Sequence, residues 1–78
     1  MFIVGMEDIA QLVRQRRRSL NLTQTQLAKN IGASREWVIR LEKGYPGLEA
    51  GLVFAALKAL DLKLSIHIRD THNASLGY

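Results

Sequence analysis

The chain has no cysteine, a single proline and only two histidines, and these scarcities remove several classes of protein. Without cysteine there is no disulfide framework, no thiolate zinc site and no cysteine nucleophile. A metal site would rest on His67 and His72, one on the polar face of an alternating segment and the other in a polar tail. No further ligands accompany them, so neither a metal nor a cofactor is expected. Closely spaced carboxylates occur only at Glu7 and Asp8, and no glycine-rich loop follows a strand pattern, so catalysis is not expected either. No apolar run reaches the roughly 20 residues that cross a bilayer. The opening MFIVGM is too short and uncharged for a signal peptide. The expected location is the cytoplasm.

What is present is a short, basic chain. Its 78 residues suit one small domain whose buried core is marginal for a lone copy, which makes dimerisation a natural supplement. The expected organisation is one domain over residues 1–70, with a flexible polar tail over 71–78. The net charge is +4, and its distribution says more than its size. Residues 1–43 hold eight cations against four anions, while Lys58, Lys63 and Arg69 balance Glu49, Asp61 and Asp70 in the remainder. All the excess therefore lies in the first half, as expected of a phosphate-facing surface, although runs such as RQRRRS are often solvated helix ends.

That half contains residues 23–44, TQTQLAKNIGASREWVIRLEKG, which read as two short helices hinged at Gly32. Leu27, Ala28 and Ile31 share one face of the first, Val38 and Leu41 one face of the second, and the small Ala28 allows a close crossing. Thr23 and Gln26 have the spacing of a capping box, Ser34 can cap the second helix, and Gly44 suits a left-handed helix end. With this pattern, Thr23-Gln24, Leu27-Ala28, Ile31-Gly32, Ser34, Val38 and Leu41-Glu42-x-Gly44 resemble the helix-turn-helix of the XRE family, to which Cro and the phage repressors belong. The likeness covers roughly residues 6 to 60. Ser34-Arg35-Glu36-Trp37 and the segment from Gly51-Leu52-Val53 to Ala59-Leu60-x-Leu62 resemble, more narrowly, small HipB-type antitoxins. The expected fold is mostly α: a four- to five-helix repressor-like domain with one C-terminal β-strand that pairs across a dimer.

The first helix is expected over residues 6–20, with Ile9, Leu12, Val13 and Leu20 on its apolar side and Asn21 at its exit. Arg17 falls near that buried stripe and would need a carboxylate partner to offset desolvation. In XRE proteins a first-helix arginine often pairs with the glutamate matching Glu42, so the resemblance implies an Arg17–Glu42 ion pair, against the alternative of a solvated arginine. Tyr45-Pro46-Gly47 reads as a turn. From about residue 48 to 60 a last helix is apolar around most of its circumference, more than one core can cover. Residues 62–69 then alternate strictly, with Leu62, Leu64, Ile66 and Ile68 on one face and Lys63, Ser65, His67 and Arg69 on the other. A solitary strand needs a partner, and within the chain only Phe2-Ile3-Val4 offers one. The expectation is that two such strands pair antiparallel across a twofold axis, with Phe54, Leu57, Leu62, Leu64, Ile66 and Ile68 at the interface. HipB-type antitoxins dimerise in a similar way.

At about 100° per residue, with Val38 and Leu41 turned inward, Glu36, Ile39 and Arg40 point out and Arg35 sits at the edge of their face. These four are the candidate base contacts. Arginine can donate bidentately to guanine, glutamate can accept from cytosine, and isoleucine can pack on a thymine methyl. Base-contacting positions of XRE proteins fall on Arg35, Glu36 and Arg40. A second role is open to Glu36, orienting Arg40 from one turn away. Gln24, Ser34 and Lys43 are the candidate phosphate contacts, while Arg14, Arg16 and Arg18 could add long-range attraction. Trp37 lies beside the core stripe, either covering the helix interface or touching the DNA backbone.

The implied function is a dimeric repressor of a palindromic operator in double-stranded DNA, nucleoid-associated in a bacterium when bound. The HipB likeness implies the antitoxin of a type II toxin–antitoxin pair with a HipA-like kinase as partner. The alternative is a stand-alone phage-type regulator.

Overall fold

The computed structural model describes residues 3–66 and Ile68. His67, Arg69 and the expected tail with His72, Leu76 and Tyr78 lie outside the described residues, as does Phe2. Four helices follow in order: α1 (Met6–Ser19), α2 (Gln24–Ile31), α3 (Arg35–Glu42) and α4 (Ala50–Ala59).

Each helix start has a local cause. The Asp8 carboxylate accepts from the amides of Val4 at 2.8 Å and Gly5 at 3.2 Å, which satisfies donors at the head of α1. At α2 the capping box is complete: Thr23 Oγ1 accepts from the Gln26 amide at 3.0 Å and Gln26 Oε1 from the Thr23 amide at 2.8 Å. Ser34 Oγ accepts from the Trp37 amide at 3.1 Å and so begins α3.

All four helices end alike. In each, one left-handed residue turns the chain back, and the next amide bonds a carbonyl five residues earlier, the Schellman arrangement. The left-handed residues are Asn21, Gly32, Gly44 and Asp61. The closing bonds run from Leu22 to Arg17, Ala33 to Ala28, Tyr45 to Arg40 and Leu62 to Leu57, at 2.8 to 3.1 Å. Gly44 has a second requirement, because a Cβ there would stand 3.3 Å from Glu7 Cα.

The core is a single cluster of Val13, Leu27, Ala28, Val38, Leu41, Val53, Ala56, Leu57 and Leu60. Ile9, Ile31, Trp37 and Leu62 pack around it half-buried, so Trp37 borders the core. Two expectations need correction. Leu57, assigned to a subunit interface, is 3% exposed and belongs to this chain's own core, because α4 turns Val53, Ala56, Leu57 and Leu60 inward together. Leu20, assigned to the apolar side of α1, is exposed, since α1 ends just before it. Residues 62–66 form no strand, and none occurs among the described residues. A segment counts as a strand only where a second strand completes a ladder with it, so alternation of apolar and polar residues does not by itself make one. Leu64, Ile66 and Ile68 stand exposed at 42, 86 and 77%, as does Phe54 on α4 at 59%.

Candidate nucleic-acid interface

The outward face of α3 is defined by what holds its inward face. Val38 and Leu41 are fully buried, and Glu42, the last residue of the helix, is 4% exposed. Such a carboxylate needs compensation for the water it has lost. Arg17 supplies it in fork geometry, with Nε 2.6 Å from Glu42 Oε2 and Nη2 2.9 Å from Oε1. Arg17 is itself 8% exposed, and its Nη1 donates to the Leu22 carbonyl at 2.9 Å. The structure thus brings together the two residues that the sequence singled out, and one carboxylate ties α3 to α1. Hydrogen bonding to Glu42 raises the Arg17 pKa above its ordinary value, opposed by burial and aided by Coulomb attraction. Because a raised pKa gives stability that is complete below the unfolded value, Arg17 keeps its charge and its contribution through the neutral and mildly alkaline range.

Around that anchor the candidate residues separate into two sets. Arg35, Glu36, Arg40 and Lys43 are exposed, and none makes a side-chain hydrogen bond or ion pair with another described residue. Glu36 therefore does not hold Arg40 in this state. Ile39 is half-buried and less free to reach outward than its neighbours. Ser34 sits at the head of α3 with its hydroxyl oxygen engaged by the Trp37 amide. Gln24, a candidate phosphate contact, is half-buried and turned inward, with Nε2 donating to Glu42 Oε1 at 3.2 Å. The Glu42 carboxylate accordingly has partners on both α1 and α2.

The basic run on α1 has roles that sequence reading missed. Arg14 Nη1 donates to the backbone carbonyl of Glu42, and Arg16 Nε donates to that of Leu60 at 2.9 Å. These are the last residue of α3 and the residue capping α4, where helix carbonyls lack partners and the helix dipole favours a cation. One signal was available: in a continuing helix the Glu42 carbonyl would accept from residue 46, and residue 46 is proline, which has no amide hydrogen. Arg18 remains exposed.

Compared with known proteins, residues 8–65 match the family described as "Helix-turn-helix domain". An uncharacterized HTH-type transcriptional regulator, y4wC, of Sinorhizobium fredii is 37% identical over 65 residues, covering 83% of this chain and 46% of that protein. A second, from Methanothermobacter thermautotrophicus, is 48% identical over 33 residues, covering 42% of this chain and 48% of its own length. This chain thus spans about half the length of the curated relatives it matches. Among solved structures, a HipB–O4 20mer complex and a HipA–HipB–O2–O3 complex each superpose with a TM-score of 0.79 at 22% identity, over 87% of this chain and 96% of theirs. At that identity the likeness establishes a shared fold.

Proposed function

Because this chain belongs to the helix-turn-helix domain family, we propose that it is a dimeric, sequence-specific DNA-binding repressor that places α3 in the major groove. The observation that carries this reading is the division of α3. Arg35, Glu36, Arg40 and Lys43 have no side-chain hydrogen bond or ion pair with another described residue, while Arg17 and Glu42 hold the helix that bears them. Arg35, Glu36 and Arg40 read base edges, with Ile39 contributing its exposed part, and Lys43, Ser34 and Gln24 meet phosphates. Gln24 can do so only by turning from Glu42 or by offering its helix-end amides. Two copies joined through Phe54 and the 62–69 segments present two α3 helices to successive grooves of a palindrome. The exposure of Phe54, Leu64, Ile66 and Ile68 supports that pairing.

The narrower form of the proposal is an antitoxin that represses its own operon and neutralises a HipA-like toxin in the cytoplasm. It is supported by the Ser34-Arg35-Glu36-Trp37 likeness and by a superposing HipB that is itself complexed with HipA. A stand-alone regulator is the alternative, and co-purification with the product of the neighbouring gene separates the two.

Titration of the protein against its own upstream DNA and a scrambled duplex, at about 0.15 M salt, tests the main reading. Preference of about a hundredfold or more for the upstream DNA is expected. Arg40→Ala should cost about 1 to 3 kcal/mol on that DNA and relax one base position, whereas Lys43→Ala should weaken all sequences alike. Equal losses on both duplexes for both variants would refute the assignment of roles.

A further inference from the structure

The basic run of α1 invites a reading as a phosphate-binding patch, and for Arg14 the geometry gives another answer. The carbonyl of Glu42 ends α3 in a residue that is almost fully buried, and Gly44 turns the chain out of the helix before a following amide can reach it. No backbone amide among the described residues donates to it. Arg14 Nη1 does, from α1, three residues and nearly one turn before the Arg17 that grips the Glu42 side chain. Main chain and side chain of one residue are thus held by two arginines of one neighbouring helix.

The consequence falls on the outer face. Arg40 in the last turn of α3 and Lys43 just after it flank Glu42, and a tilt of that end moves both relative to a groove. The two arginines constrain the tilt at two points, so neither Arg14 nor Arg17 can leave for a phosphate without giving up one of those two holds on the end of the helix.

We propose that Arg14 is a positioning residue for sequence recognition, fixing the C-terminal end of α3 through the Glu42 carbonyl, and that its charge is not spent on a DNA phosphate. The inference rests on the DNA-reading function of α3 proposed above. It separates from a phosphate role because the two predict different salt behaviour. A phosphate contact contributes roughly 0.9 to the slope of log affinity against log salt and acts on every sequence, whereas a positioning residue leaves the slope alone and acts on discrimination.

The experiment uses the full chain, Arg14→Met as the neutral variant and Arg14→Lys as the one that keeps a donor. Each is titrated against the chain's own upstream duplex and a scrambled duplex over a range of salt, and amide hydrogen exchange at Lys43, Gly44 and Tyr45 is followed without DNA. For Arg14→Met the preference for upstream DNA should fall about tenfold with an unchanged salt slope, and exchange at the three amides should quicken about tenfold. Arg14→Lys should regain most of both and also shows whether a folding defect is in play. A slope reduced by about 1 with preference intact would overturn the proposal, as would unchanged preference with unchanged slope. If wild type shows no preference, the DNA-reading function fails instead, and the exchange data still judge the contact: equal protection in wild type and Arg14→Met refutes it.

Discussion

Replacing Glu42 by glutamine keeps the shape of the side chain and removes its charge. Arg17 then remains 8% exposed, with the Leu22 carbonyl and an amide oxygen in place of a carboxylate that accepted two of its hydrogens. Gln24 competes for the same oxygen, since it already donates to Glu42 Oε1. Breaking a buried pair from one side costs about 3 to 5 kcal/mol, and the remaining acceptor points to the lower end. At roughly 0.05 to 0.15 kcal/mol per residue, a chain of 78 residues has only about 4 to 12 kcal/mol in total. A loss near 3 kcal/mol would lower the Tm by about 12 to 24 °C. Urea unfolding followed by Trp37 fluorescence, at one protein concentration so that dimerisation is held fixed, measures it. A companion Arg17→Met/Glu42→Leu variant leaves no charge behind and should cost only about 1 to 2 kcal/mol, chiefly from the Leu22 carbonyl that loses its donor. A Glu42→Gln cost below about 1 kcal/mol, the scale of exposed pairs, would refute the claim that this pair anchors α3. So would a double variant worse than either single one.

Gly44→Ala should destabilise by about 2 to 4 kcal/mol, since it combines a left-handed conformation with a Cβ 3.3 Å from Glu7 Cα; Gly32→Ala, left-handed but with nothing within 4 Å of the new carbon, should cost only about 1 to 2 kcal/mol in the same assay. Ser34→Ala should remove about 1 kcal/mol by deleting the cap of α3, and an additional loss of affinity for DNA at a temperature where the variant stays folded would mark a phosphate contact as well. Phe54→Lys should leave the unfolding of a dilute monomer nearly unchanged while raising the dimer dissociation constant at least about tenfold by sedimentation, because the ring is 59% exposed in the single chain.

Helix positions and caps were legible because each leaves a mark in side-chain chemistry at a fixed spacing: Thr23 with Gln26, Ser34 before an apolar period, glycine where the backbone turns left-handed. For the Arg17–Glu42 contact the spacing marked only Arg17 as lying near the core, and the family resemblance supplied Glu42. Asp61 takes the same left-handed conformation as Gly32 and Gly44 without the residue type that announces it. The work of Arg14 and Arg16 was hidden for a different reason. Their acceptors are backbone carbonyls, which every residue has, so nothing in the side-chain pattern says which helix end will lie beside α1. For α4 the difficulty was excess signal. Apolar residues surround it, and periodicity alone cannot say that Leu57 turns to its own core while Phe54 turns away. The inward turn of Gln24 toward Glu42 was likewise unreadable, as it joins polar residues on different helices with no shared motif.

Apart from Ser34, which caps α3, and the half-buried Ile39, the residues that keep α3 in place and those that face outward from it do not overlap. Val38, Leu41 and Glu42 serve the fold; Arg35, Glu36, Arg40 and Lys43 are exposed and make no side-chain hydrogen bond or ion pair with another described residue. Substitutions at the outward positions are therefore nearly free of thermodynamic penalty, and a lineage carrying this scaffold can change its preferred sequence without first acquiring stability to spare. A laboratory selection randomising those four positions should return mostly folded proteins, whatever DNA they have come to prefer.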